Sequence, residues 1–147
     1  MKTFFDKTTQ DDLESRLQKL DAQAKGQWGK MNPAQMLAHC GASMEMPLGD
    51  LVAKRSPLSV IGWMFRGVIR NDKPFSKNAP TSPEYLVRDE REFDAEKRRF
   101  LAAFRKLSAG PASLKCDRHP FFGKLSSEDW GHLIYKHLDH HFRQFGV

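Results

Sequence analysis

Four histidines lie within ten residues near the end of the sequence, at positions 132, 137, 140 and 141. Each residue of a helix turns by about 100°, so with His137 at zero His141 lies at about +40°, inside an apolar face. On the same scale His140 lies at about −60°, at the border of that face, and His132 at about −140°, on the opposite side. The spacing therefore makes His137 and His141 candidate metal ligands and predicts that His132 and His140 lie at the surface.

A metal site is the chemistry that this spacing favours. Residues four apart on a helix have Cβ atoms about 5–6 Å apart, so His137 and His141 can converge on one ion. A third imidazole, His39, stands on a core-directed face of an earlier helical segment. Three nitrogen ligands leave coordination positions open, as in catalytic zinc sites. Cys40 lies about 100° around the helix from His39 and is predicted to pack nearby as a buried thiol.

Four stretches of sequence have the apolar repeat of an amphipathic helix, and they cover about residues 10–24, 33–46, 83–107 and 127–144. A crossover of about residues 55–83 separates the second from the third and contains a short apolar piece, 58–69, that predicts an extra helix. The third stretch has one apolar stripe, made of Leu86, Phe93, Phe100, Phe104 and Leu107. The pattern predicts an all-α, four-helix bundle.

The predicted helix starts carry capping residues. Thr9 followed by Asp12 resembles a capping box for the first helix. Asn32 can cap the second, and Pro33 fits its first helical position without the loss of a hydrogen bond. Ser126, or the serine after it, can cap the last helix. The apolar residues that flank the histidines on these two helices indicate which faces turn inward, and hence where the candidate ligands lie.

Three blocks together resemble an uncharacterised family within the DinB-like (YfiT-like) metalloenzyme superfamily. They are the segments of residues 28–40, 119–126 and 130–145, which carry the sequences WGKMNPAQMLAHC, HPFFGKLS and WGHLIYKHLDHHFRQF. The resemblance implies one domain over residues 1–147, an up-down-down-up four-helix bundle and a homodimer. It also implies a metal triad of His39, His137 and His141. His140 or Gln144 remain alternative members of that site.

The functional expectation is a metal-dependent enzyme acting on a small molecule. Better-known relatives in the superfamily catalyse hydrolysis or thiol transfer, so the resemblance implies a hydrolase or an S-transferase, the latter with a low-molecular-weight thiol as partner. Zinc or nickel is the expected divalent ion, with iron or manganese as alternatives. No catalytic residue is assigned, although Glu90 is the first carboxylate to examine. The competing hypothesis is a non-catalytic stress-response protein that binds a metal or a small ligand.

Composition and charge argue against a membrane protein, a secreted protein and a nucleic-acid-binding protein. The chain has 147 residues, 39 % of them hydrophobic, which suits one globular domain. Its longest uncharged stretch, residues 31–44, is 14 residues long, too short to cross a bilayer, and no secretory signal is visible, so a cytoplasmic location is expected. A net charge of +6 is scattered rather than clustered, which disfavours nucleic-acid binding.

His119 is expected to shape a loop, and Trp130 to lie in the core or a pocket wall.

Overall fold

The computed structural model describes residues 1–52, 54, 57, 59–77 and 85–147. Its α-helices are α1 (Lys7–Lys19), α2 (Pro33–Glu45), α3 (Ser59–Gly62), α4 (Phe93–Ser108) and α5 (Ser127–Gln144). Two 3₁₀ helices cover Trp63–Val68 and Pro111–Ser113. Strands β1 (Arg118–His119) and β2 (Gly123–Lys124) form a small antiparallel pair. The described residues are therefore mostly helical, as the apolar repeats predict.

The helix α2 lies at the centre of the packing. It contacts both α4 and α5, and α5 also contacts α1. Fully buried side chains from these helices include Met36, Leu37, Phe100, Leu138 and Phe142. Removal of this apolar surface from water is the main force that holds the helices together. As a consequence, the inward faces of α2 and α5 meet in the interior.

Both helices that carry the candidate ligands begin at a predicted cap. The Asn32 side chain accepts from the Gln35 amide at 2.8 Å, and the Gln35 side chain accepts from the Asn32 amide at 3.1 Å. Ser126 and Asp129 form the same reciprocal pair at the start of α5. Capping boxes of this kind satisfy amide groups that have no partner within the helix. The predicted caps of the second and last helices are thus confirmed, with Pro33 at the first turn of α2.

The bounds predicted for the first helix are wrong. The helix α1 runs from Lys7 to Lys19 rather than over 10–24, and Thr9 lies inside it, so no capping box forms there. The Gln10 side chain donates to the Phe4 carbonyl at 3.0 Å, which ties the first residues to the helix and favours the earlier start. The helix ends where Leu20 adopts an extended backbone conformation.

The third predicted helix is also shorter than expected. Residues 83 and 84 lie outside the described residues, and 85–92 form no α-helix. Helix α4 begins at Phe93 because the Glu92 carboxylate accepts from the amides of Asp94 and Ala95, at 3.0 and 2.6 Å. Leu86, predicted as part of the stripe, is therefore 48 % exposed. The rest of the stripe is confirmed, with Phe100, Phe104 and Leu107 buried and Phe93 partly buried against the core.

The extra helix predicted in the crossover is present as two short pieces. Helix α3 continues directly into the 3₁₀ helix Trp63–Val68. The predicted first residue of this element, Leu58, lies outside the described residues. Among the helices of the described segments, none combines the length and apolarity that a bilayer crossing requires.

Candidate metal centre

Helices α2 and α5 bring His39, His137 and His141 together. One ring nitrogen from each lies within 4.8 Å of the other two. The ring centroids are separated by 4.7 Å (His39 to His137), 4.6 Å (His39 to His141) and 4.8 Å (His137 to His141), so the rings form a nearly equilateral triangle. The three residues singled out from the sequence are thus neighbours in space. Their coordination of an ion stays a prediction.

Two of the rings have a fixed tautomer because their partners can only accept. His39 Nδ1 donates to the carbonyl of Tyr85 at 2.8 Å. Gln144 donates its Nε2 to the carbonyl of Trp28 at 2.6 Å, which leaves its Oε1 to accept from His141 Nδ1 at 2.8 Å. In a neutral imidazole only one nitrogen carries a hydrogen. Both rings therefore present an unprotonated Nε2 lone pair.

The third ring has the same tautomer through a hydroxyl group. Ser43 donates its single hydroxyl hydrogen to the carbonyl of Cys40 at 2.7 Å. A hydroxyl that donates to this carbonyl accepts the ring hydrogen of His137 at Nδ1, 2.9 Å away. In this arrangement His137 also presents an unprotonated Nε2.

The fixed tautomers create a conflict that a cation resolves. His39 Nε2 and His137 Nε2 lie 2.8 Å apart, a distance usual for a hydrogen bond, but with these tautomers neither nitrogen has a hydrogen to donate. Two lone pairs at this distance repel unless a positive ion lies among them. Metal-binding histidines characteristically donate their other ring nitrogen to a carbonyl, carboxylate or similar oxygen. The donor set therefore fits a divalent metal ion.

Burial keeps the three rings neutral. It lowers the pKa of His39, lowers that of His137 well below the ordinary value and lowers that of His141 to about 3. The neighbouring imidazoles lower the pKa values of His137 and His141 further, because a second charge would be repelled. Imidazole must be unprotonated to bind a metal, so these rings are ready ligands at neutral pH.

A glycine allows the Gln144 contact. Gly29 has φ of +77°, a backbone conformation that favours glycine. A Cβ atom at this position would lie 2.5 Å from Gln144 Nε2. The turn that contains Gly29 can therefore come close enough for the Trp28 carbonyl to accept from the Gln144 amide. Gln144, an alternative ligand on sequence grounds, instead orients His141.

The other two histidines of α5 lie outside this cluster. His140 is half-buried and packs against the ring of Trp28 at 5.5 Å between centroids. The predicted surface position of His132 is wrong, since this side chain is buried and its Nδ1 lies 3.0 Å from the Lys2 carbonyl. The N-terminal segment covers that side of α5, which the helical phase by itself did not indicate.

Two further candidate residues, Cys40 and Glu90, do not belong to the histidine cluster. Cys40 is fully buried, as predicted, and burial raises the pKa of its thiol, so it is a poor thiolate ligand. Glu90 is exposed and is not part of the histidine cluster. Lys97, a possible partner for this carboxylate on sequence grounds, lies over the ring of Phe93 instead.

Of the three groups that hold the rings, sequence reasoning named Gln144 as a possible member of the site but assigned no role to Ser43 or Tyr85. Ser43 follows His39 by four residues, so it lies on the same face of α2, and this spacing was a usable signal. The contribution of Tyr85 is a backbone carbonyl, which every residue type has. No sequence pattern could therefore have identified it.

A small cavity adjoins the cluster at His137. Its volume is about 60 Å³, and its lining consists of Ser43, Tyr85, His119, Trp130, Leu133, Ile134 and His137. The cavity therefore connects the ring of one candidate ligand with the loop that follows β1. It supplies space for a small group next to the imidazoles.

A comparison with protein families identifies a match. The family model described as "Protein of unknown function (DUF1569)" matches residues 5–146, which include all three clustered histidines. No curated protein and no solved structure matches the chain.

Proposed function

We propose that this chain, which belongs to the family of proteins of unknown function DUF1569, is a metal-dependent enzyme that acts on a small molecule. The observation that carries the proposal is the contact between His39 Nε2 and His137 Nε2 at 2.8 Å, with both rings hydrogen-bonded through Nδ1. The fixed tautomers direct lone pairs toward a common point. A purely structural role for the three rings would be better served by complementary donors and acceptors.

The donor set suits several metals. Three imidazole nitrogens are good ligands for zinc and nickel, which we propose as the resident ions, and iron or manganese are the alternatives. When bound, a divalent ion of this kind supplies Lewis acidity to a substrate or to a nucleophile. A low-molecular-weight thiol is one such nucleophile and water is another. The two correspond to the S-transferase and hydrolase hypotheses.

The residues of the chain have distinct tasks in this proposal. His39, His137 and His141 hold the ion through Nε2, while Ser43 and Gln144 keep two of the rings in place. The apolar walls of the adjoining cavity exclude water from the reacting group and position the substrate. Buried hydrogen bonds that fix ligand orientation reduce the reorganisation needed when substrate binds.

We also propose that the chain is a single domain of the DinB-like superfamily over residues 1–147. The long helices α1, α2, α4 and α5 would form its up-down-down-up bundle, and the contacts of α2 with α4 and α5, and of α1 with α5, support this arrangement. A cytoplasmic homodimer is the form that we propose for the enzyme. Light scattering of the purified chain tests the dimer.

Elemental analysis of the untagged, purified protein tests the metal site. We expect about one divalent ion per chain in the wild type and a near-complete loss in His137→Ala and in His141→Ala. His132→Ala is the matched control, because it makes the same change on the opposite side of the same helix. Unchanged metal content in the first two variants would refute the site.

A second measurement separates an enzyme from a non-catalytic binding protein. The metal-loaded and chelator-treated proteins are each assayed against a panel of small amides and esters, and against small electrophiles with a thiol. Turnover that requires both the metal and His137 supports the enzyme. Full metal occupancy without any metal-dependent turnover would favour the stress-response alternative.

A further inference from the structure

Trp130 lines the cavity beside His137 and carries a buried hydrogen-bond donor that has no partner among the described residues. Its side chain is 2 % exposed, and its indole Nε1 makes no hydrogen bond to any described residue. Buried polar groups in folded proteins are nearly always paired, because an unpaired donor loses its hydration without compensation. An exception beside a candidate reaction centre indicates a group that pairs with a ligand.

His119 supplies a second donor to the same cavity. Its Nδ1 accepts from the backbone amides of Phe121 and Phe122, at 3.1 and 3.2 Å. The ring hydrogen must then be on Nε2, and no hydrogen bond of the described residues uses it. The ring centroids of His119 and Trp130 lie 5.6 Å apart, and both rings line the cavity. The loop thus fixes the tautomer of His119 with its hydrogen on Nε2.

The cavity is suited to a neutral acceptor. Its volume of about 60 Å³ has room for a few non-hydrogen atoms, and its walls include Leu133 and Ile134. Among the described residues, no Lys, Arg, Asp or Glu contributes to its lining. Burial of a carboxylate without a charged partner is unfavourable, whereas a carbonyl oxygen needs only hydrogen-bond donors. A carbonyl group therefore matches the cavity better than an anion does.

We propose that this cavity binds the carbonyl group of a small amide or ester substrate, whose oxygen accepts from Trp130 Nε1 and His119 Nε2. The inference rests on the proposed function and narrows its substrate class. The bound carbonyl would lie next to His137, and hence beside the ion that the three histidines hold. Trp130 and His119 are then substrate-binding residues that orient the reacting group.

Acetamide is a suitable probe because it is the smallest stable amide with a methyl group to fill the apolar side of the cavity. It is titrated into the zinc-loaded protein labelled with nitrogen-15, and the indole signals of the three tryptophans are followed by NMR. Trp130→Phe identifies the Trp130 signal, since it deletes that signal alone. We expect a saturable downfield movement of the Trp130 indole proton, with little change for Trp63, which is exposed.

The variant His119→Asn tests the second donor. The Asn carbonyl keeps an acceptor for the amides of Phe121 and Phe122, while the Nε2 donor is lost. We expect the affinity for acetamide to fall about three- to tenfold, the value of one neutral hydrogen bond. Trp63→Phe, which replaces an exposed tryptophan, is the control and should leave the affinity for acetamide unaltered.

Metal content measured on the same samples separates the two proposals. Bound zinc without a saturable shift of the Trp130 signal would overturn the carbonyl site and leave the metal site intact. A saturable shift in protein that binds no zinc would support the carbonyl site and overturn the proposed function. An affinity unaffected by His119→Asn would contradict the role of His119.

Discussion

The two sides of α5 both bury polar side chains, but they satisfy them differently. On the side away from the cluster, the Lys136 ammonium donates to the carbonyls of Val68 and Asn71. Asp139 accepts from Arg16 at 2.8 Å and pairs with Arg143 at 2.9 Å. The Lys136 ammonium thus meets carbonyl acceptors, and the Asp139 carboxylate meets two positive charges. These two side chains need no partner from outside the chain.

On the side of the histidine cluster, two imidazole nitrogens of the same hydrogen-bonding type face one another. His39 Nε2 faces His137 Nε2, and both are lone-pair acceptors. The comparison shows that buried polarity alone does not indicate a functional site, since the other side of the helix has as much of it. The informative feature is a set of buried groups whose hydrogen-bonding capacities do not complement one another.

The largest expected difference between the two sides is their response to zinc. A ligand present at about 1,000 times its Kd stabilises a fold by about 4 kcal/mol. We expect this gain in the free energy of urea unfolding for the wild type and none for His137→Ala. An equal gain in both proteins would show that zinc binds elsewhere.

Loss of an ion pair on the opposite side should destabilise the protein without affecting the metal. Arg16 and Asp139 are only 15 % and 11 % exposed, so Arg16→Ala should lower the free energy of unfolding by about 3 kcal/mol. Arg143→Ala, at a half-exposed partner of the same carboxylate, should cost less than about 1 kcal/mol. Zinc content should be unchanged in both, and a loss of zinc in Arg16→Ala would contradict the independence of the two sides.

A smaller effect is expected for the hydroxyl group that fixes the His137 tautomer. Ser43→Ala removes the acceptor for His137 Nδ1 and should weaken zinc binding about 10- to 100-fold, as measured by competition with a chelator. Ser108→Ala is a matched control, because Ser108 also donates to a carbonyl of its own helix, that of Phe104, and lies on α4. Equal affinity in the two variants would exclude an orienting role for Ser43.

The smallest effect concerns the start of α5 in acid. The hydrogen bonds from Arg70, with those of Ser126, lower the pKa of Asp129 from 3.8 to about 2. Because the folded pKa lies below the unfolded one, this contribution is present above about pH 4 and is lost as the pH falls toward 2. Urea unfolding should therefore show a stability difference between the wild type and Asp129→Asn that shrinks over this interval. A difference independent of pH would contradict the shift.

Much of the positioning of the cluster followed from local sequence rules. The caps at Asn32 and Ser126, the 100° step of a helix and the apolar residues on either side were sufficient to assign His39, His137 and His141 to inward faces. Such rules depend on neighbours within about four residues, and these are visible in the sequence. They do not depend on the rest of the fold.

Contacts between distant segments could not be predicted in the same way. His132 is buried because the N-terminal segment lies along α5, where the Phe4 amide donates to the Gly131 carbonyl at 3.0 Å. A Cβ atom at Gly131 would overlap the Thr3 hydroxyl, so the close approach requires glycine. The sequence shows a glycine at position 131, but it does not show which segment of the chain packs against it. Likewise, Glu92 ends the extended segment before α4 by a side-chain contact that competes with a longer helix.

Two hydrogen bonds connect His141 with a loop: His141 donates to Gln144, and Gln144 donates to the Trp28 carbonyl. The position of this loop therefore determines which ring nitrogen of His141 carries the hydrogen. If a binding partner drew the turn at residues 26–29 away, the Gln144 amide would be free to rotate and present its NH₂ group to His141 Nδ1. That ring would then exchange its tautomer and point a hydrogen, instead of a lone pair, at the other two imidazoles. At the proposed metal site, rotation of one amide would therefore remove one of the three ligand lone pairs, with all three histidines still in place.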